Sequence, residues 1–102
     1  MHAIALPAEL TIYTAAELRT QWLAWLAGLD HGAGEDVGID GSAVDQADAA
    51  GVQLLASLAR SIAATGLGWR LDAPSDVLRA ACLTLGLERL LAGQPTTEGA
   101  VA

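Results

Sequence analysis

The sequence predicts an α/β fold: a small mixed sheet of about four to five strands packed with about four helices. Three observations carry that reading. Short runs of alternating apolar residues recur between longer runs with helical apolar spacing. Residues 37–71 read as strand, helix, strand, at the length of a parallel crossover unit. The helical runs also begin on capping residues and stop on glycine. At 102 residues the chain is one domain, and a domain of this size buries roughly two-thirds of its unfolded surface without disulfides or metal. The folded unit is expected over 1–92, with a short polar, proline-containing tail over 93–102 that frays.

The elements follow in chain order. Ile4, Leu6, Leu10 and Ile12 alternate around Pro7, which predicts two short strands or one broken strand. Thr14-Ala15-Ala16-Glu17 fits a capping box, so a first helix is expected over about 15–29, with Leu18, Trp22, Trp25, Leu26 and Leu29 on its core face. His31-Gly32-Ala33-Gly34 is a loop on glycine content. Val37 and Ile39 alternate in a short strand ending near Asp40, and a loop through Gly41, Ser42 and Asp45 leads to Asp48, a good N-cap. Val52, Leu55, Ala59 and Ile62 then line one face of a second helix, broadened by Leu54 and Leu58. Gln53, Ser57, Arg60 and Ser61 mark its wetter side, and Gly66 stops it. Trp69 and Leu71 alternate with Arg70 and Asp72 in a further strand that ends at Pro74. Ser75 and Asp76 open a third helix with Leu78, Ala81, Cys82 and Leu85 inward, Gly86 closes it, and 87–91 add a last helical turn.

Composition narrows the function. Twelve acids face five arginines and no lysine, for a formal charge of −7. That balance opposes binding to nucleic-acid phosphates and to anionic membranes. Asp30, Glu35, Asp36, Asp40, Asp45 and Asp48 fall in one stretch without a basic residue, which reads as a solvated acidic edge or as a surface for a basic partner. Cys82 is the only cysteine, so no internal disulfide is possible, and a reducing, cytoplasmic compartment is expected. Met1-His2-Ala3-Ile4 lacks the basic start and apolar run of a secretory signal. The apolar run at 22–29 is far short of the roughly 20 residues a membrane span needs, so no direct membrane insertion is expected.

The chemistry expected is equally restricted. His2 and His31 have no second ligand at metal spacing, and 40–48 lacks the alternating ligands and central glycine of a calcium loop, so neither a metal nor a cofactor is predicted. Cys82 lies on an inward helical stripe and reads as core. No serine has a histidine near it in sequence, there is no phosphate-cradling glycine loop, and without lysine there is no Schiff-base chemistry. No catalytic residue is assigned, and the chain is expected not to be an enzyme. Trp22 and Trp69 read as core. Trp25 is either core or a partly exposed anchor for a partner.

From Leu6 to about Leu91 the order of motifs resembles the STAS domain (sulfate transporter and anti-sigma factor antagonist). Leu6-Pro7-Ala8-Glu9-Leu10 and Thr14-Ala15-Ala16-Glu17-Leu18 are similar to that family's opening strand and first helix. Asp40-Gly41-Ser42-Ala43-Val44 is similar to its acidic strand end. Asp48-Ala49-Ala50-Gly51-Val52-Gln53-Leu54-Leu55 stands in frame with its Asp-Ser-Ser-Gly-Leu-x-x-Leu signature. Gly66, Trp69-Arg70-Leu71, Pro74-Ser75 and Leu85-Gly86-Leu87 follow in the family's order. A narrower resemblance is to small STAS proteins of bacterial chemotaxis and two-component systems.

The resemblance implies a small mixed sheet with helices, the signature at the start of the second helix, and a non-enzymatic protein-interaction module in bacterial signalling. Its partner would be a signalling kinase, an anti-sigma factor or a chemotaxis protein, docked at Asp48, Ala49, Ala50, Gly51, Gln53 and Ser57. In anti-sigma factor antagonists a kinase phosphorylates the second signature serine, adding about −1.5 to −2 charges that break a docked interface. Ala50 occupies that acceptor position, Ala49 replaces its neighbour, and Thr11 stands where many members carry an aspartate. The family's phosphoswitch is therefore expected to be absent, unless Ser42 or Ser57 has taken over as acceptor. The alternative implied function is a soluble regulatory subunit of a membrane transport or lipid-trafficking ATPase complex. A small ligand on the free amides of the Asp48 helix start is a further reading, opposed by the surrounding acids.

Overall fold

The computed structural model describes residues 2–29 and 36–94. The alternation around Pro7 forms two strands, β1 (His2–Ala5) and β2 (Glu9–Leu10). The break falls where proline fixes φ and removes a ladder donor. After them come α1 (Ile12–Ala27), β3 (Val37–Asp40), β4 (Gln46–Ala47), α2 (Ala49–Ala64), β5 (Trp69–Asp72), α3 (Asp76–Thr84) and α4 (Arg89–Ala92). The expected loop at 31–34, like Asp30 and Glu35 of the acidic stretch, lies outside the described residues.

The first helix starts three residues earlier than its Thr14-x-x-Glu17 pattern predicts. Thr11 is the N-cap: its hydroxyl accepts from the Tyr13 amide at 3.2 Å, and Thr14 Oγ1 accepts from the Thr11 amide at 3.2 Å. Thr14 thus serves as the return partner of the box. Glu17 instead accepts from Gln21 Nε2 at 3.2 Å, one turn further along the exposed side. Ile12 consequently belongs to the helix, 60% exposed, and not to a strand alternation. The expected core face holds at Leu18 and Trp22, which are buried, while Trp25 and Leu26 are partly buried against the core.

β1, β3 and β5 form one parallel sheet with β3 central, and β2 pairs in parallel with β4. Side chains alternate across a strand, so Val37, Ile39, Trp69 and Leu71 enter the core. The opposite face carries the rows Ala3–Gly38–Arg70 and Ala5–Asp40–Asp72. There Arg70 Nε donates to Asp72 Oδ1 at 3.0 Å, close to where a Gly38 side chain would stand. Both partners are nearly half exposed, so the pair adds little stability.

Val52, Leu55, Leu58, Ala59 and Ile62 of α2 are all buried, as their spacing predicts, and Gly66, at φ +89°, follows the Thr65 cap. Ser75 caps α3 by accepting from the Leu78 amide at 3.1 Å. Cys82 is wholly buried among core side chains, and that burial pushes its thiol pKa up, as a packing residue requires. Gly93 and Gln94, the first residues of the expected tail, are described: Gln94 exchanges two backbone hydrogen bonds with Trp69, at 2.7 and 2.8 Å, as an antiparallel bridge on β5. Residues 95–102 lie outside the described residues. Among the described residues, no helix is long and apolar enough to cross a membrane.

Candidate functional site

Two strand-to-helix transitions lie side by side. Parallel pairing sets Glu9 against Gln46 and Leu10 against Ala47. Each strand then runs at once into a helix, through Thr11 on one side and Asp48 on the other. The Asp48 amide also donates to the Leu10 carbonyl at 3.2 Å, which locks the two turns together.

Asp48 is the cap that its sequence position predicts, and it does more. Its Oδ1 accepts from the Gly51 amide at 2.9 Å, and its Oδ2 accepts from the Ile12 amide, the first of α1, at 3.0 Å. One carboxylate therefore satisfies orphan donors of two helices. The amides of Ile12 and Gly51 stabilise the charged form and hold the Asp48 pKa below the ordinary carboxylate value. That direction suits a cap and not a general base, whose pKa would have to rise toward neutrality. Asp40 behaves similarly: the Ser42 amide donates to its Oδ1 at 2.9 Å and lowers its pKa. Two acids of the acidic stretch are thus accounted for by hydrogen bonds from backbone amides.

A pH dependence follows with a definite sign. A carboxylate whose folded pKa is depressed contributes stability above its unfolded value, here 3.8, and that contribution is lost as pH falls through the folded value. Asp48→Ala is expected to lower Tm by roughly 5–10 °C at neutral pH, and the gap to wild type should close as pH drops below about 4. Thermal melts of both proteins from neutral pH to about pH 3 measure this. A gap that stayed constant across the series would mean that the charge contributes nothing.

The expected docking residues fall into three groups. Ala49 is exposed and Ala50 half-buried, both at the start of α2 beside Asp48. Gln53 and Ser57 follow Ala49 at four-residue spacing and are exposed, but Ser57 lines the groove between α1 and α2 with Arg19 and Leu23. Gly51 is buried beneath them, and a methyl there would overlap the Leu10 carbonyl, so the close packing of α2 on β2 requires glycine at this position.

The structure adds residues that the sequence reading missed. Ile12 is 60% and Tyr13 90% exposed at the start of α1, next to Asp48. On the other side, Val77, Ala80 and Thr84 of α3 join Ala49 around an open depression of about 400 Å³. Val77 is 41% exposed. A signal existed for each. Thr11 with Thr14 reads as a second capping pair, and Val77 falls off the Leu78-Ala81-Cys82-Leu85 stripe. The depression contains one hydroxyl and a carboxylate already committed to capping, so its walls suit apolar contact better than bond-making chemistry. Among the described residues, no three His, Cys, Asp or Glu side chains converge as metal ligands.

Residues 2–92 match the family model described as "Mlab, STAS domain". No curated protein matches the chain.

Proposed function

The chain belongs to the STAS domain family, and from that premise we propose that it is a non-enzymatic docking module of bacterial signalling whose switch hydroxyl is missing. STAS domains generally mediate protein–protein interaction. The observation that carries the reading is the surface around the signature. Ala49 and Ala50 stand between exposed Ile12 and Tyr13 on one flank and Val77 on the other. Exposed apolar groups gathered about small residues suit close approach by a partner, and an exposed tyrosine is a frequent anchor. With alanine at both hydroxyl positions, the partner would meet a surface held permanently in its unphosphorylated form.

Ala50→Glu separates folding from docking. An acid in the first turn of a helix is favourable to the helix itself, so the variant should fold. Affinity capture from the native host with wild-type and Ala50→Glu baits is expected to recover a signalling kinase, anti-sigma factor or chemotaxis protein with wild type, and to lose at least about nine-tenths of it with the variant, the loss of roughly 1.4 kcal/mol or more. Equal recovery by both baits would place docking elsewhere. Recovery of an ATPase with its permease would assign the chain to a transport complex instead.

A further inference from the structure

A second cavity lies away from the signature, where the C-terminal half of α2 faces β5 and α4. It is a half-open cavity of about 570 Å³, within the usual range for small-molecule sites. Its apolar walls come from Ala59 and Ala63 of α2, Trp69 of β5 and Leu90 of α4, and Arg60 and Arg89 stand at its lining from the two helices. Trp69 and Leu90 are themselves largely buried, so this floor is built into the core and not draped over it.

The charges are what make the cavity specific. The chain carries −7 overall and only five arginines. Arg70 is committed to Asp72. Arg60 and Arg89, from segments distant in sequence, meet at this one cavity, and among the described residues neither forms an ion pair. A guanidinium binds carboxylate or phosphate through paired N–H donors, and the alanines leave room beside it for an apolar body. The α2 carbonyl end reaches the cavity at Ala63 and Ala64 and its partial negative charge opposes an anion there, so an anionic head would sit at the arginines instead.

We propose that this cavity binds a free, single-chain amphiphilic anion, its carboxylate or phosphate head held by Arg60 and Arg89 and its apolar body lying on Trp69, Leu90 and the α2 alanines. Decanoate is the probe, titrated calorimetrically into the full chain, with decanol as its uncharged counterpart. Saturable one-to-one binding of decanoate is expected, with decanol weaker. The double variant Arg60→Gln/Arg89→Gln should bind decanoate roughly tenfold or more weakly, and Ala63→Leu, at a half-buried position of the cavity wall, should weaken both probes. Both arginines are exposed, so the double variant should retain its Tm and helical signal. Absence of saturable decanoate binding would overturn the proposal, as would equal binding by the double variant. Cosedimentation with anionic phospholipid vesicles that decanoate does not displace would make the arginines a membrane contact, and a chain cut after residue 94 that binds decanoate while the full chain does not would make the tail the occupant. Either result also overturns it.

Discussion

Gly51→Ala is expected to cost the chain at least about 3 kcal/mol, a large share of the roughly 5–15 kcal/mol that stabilises a domain. The Cβ it adds would overlap the Leu10 carbonyl and stand 2.8 Å from the Thr11 amide nitrogen. Those atoms belong to the strand-to-helix turn that Asp48 clamps through the Ile12 amide, so they cannot yield as the end of a flexible side chain would. α2 would have to move off β2, and the clamp would open. Gly38→Ala is the matched control. The added methyl there meets Asp72 Oδ2 at 2.9 Å and Arg70 Nη2 at 3.1 Å, both ends of half-exposed side chains that can swing away, and alanine in a strand interior recovers some of the roughly 0.5–1 kcal/mol that glycine forfeits. Urea melts should show Gly51→Ala unfolded or nearly so and Gly38→Ala close to wild type. Similar midpoints for the two variants would contradict the backbone contact at Gly51.

Leu78→Ala is expected to destabilise the fold by about 2–5 kcal/mol, the cost of a core leucine truncation that leaves a cavity. Leu78 is wholly buried. It packs against Gly41, where β3 hands the chain on: the Gly41 amide donates to the Asp72 carbonyl at 2.9 Å, and its own carbonyl accepts from Ser75 at 3.1 Å. Backbone bonds hold that junction on two sides, so the structure cannot collapse into the space that the side chain leaves. Val77→Ala, one residue away and 41% exposed, should stay within about 0.5 kcal/mol of wild type while weakening partner capture. Thermal melts of the two variants decide it: a Leu78→Ala Tm within a few degrees of wild type would show that α3 is not anchored there.

The sequence announced its elements wherever one residue carries one local meaning. Asp48 and Ser75 are caps in both readings, and the α2 stripe from Val52 to Ile62 is buried as spaced. It was misleading where two threonines competed for one role. Thr11 and Thr14 both precede an apolar run, and only the pairing of β2 with β4 shows that Thr11 is placed to cap. The two-residue strand Gln46–Ala47 is too short to have a period of its own and exists because Glu9–Leu10 lies beside it. The candidate site divides in the same way. Its centre was legible as a motif, but its flanks at Tyr13 and Val77 come from helices far away in sequence, and the meeting of Arg60 with Arg89 has no local signature at all.

The Asp48 clamp has a kinetic consequence. Ile12 and Asp48 are 36 positions apart, yet their hydrogen bond and that of the Asp48 amide to the Leu10 carbonyl tie the starts of α1 and α2 together. A partner docked as proposed on Tyr13 and Ala50 would meet a surface already tied together and would spend little entropy on ordering it. Association should then be a single encounter step, with complex lifetime set by how well the partner fits and not by any rearrangement of this chain.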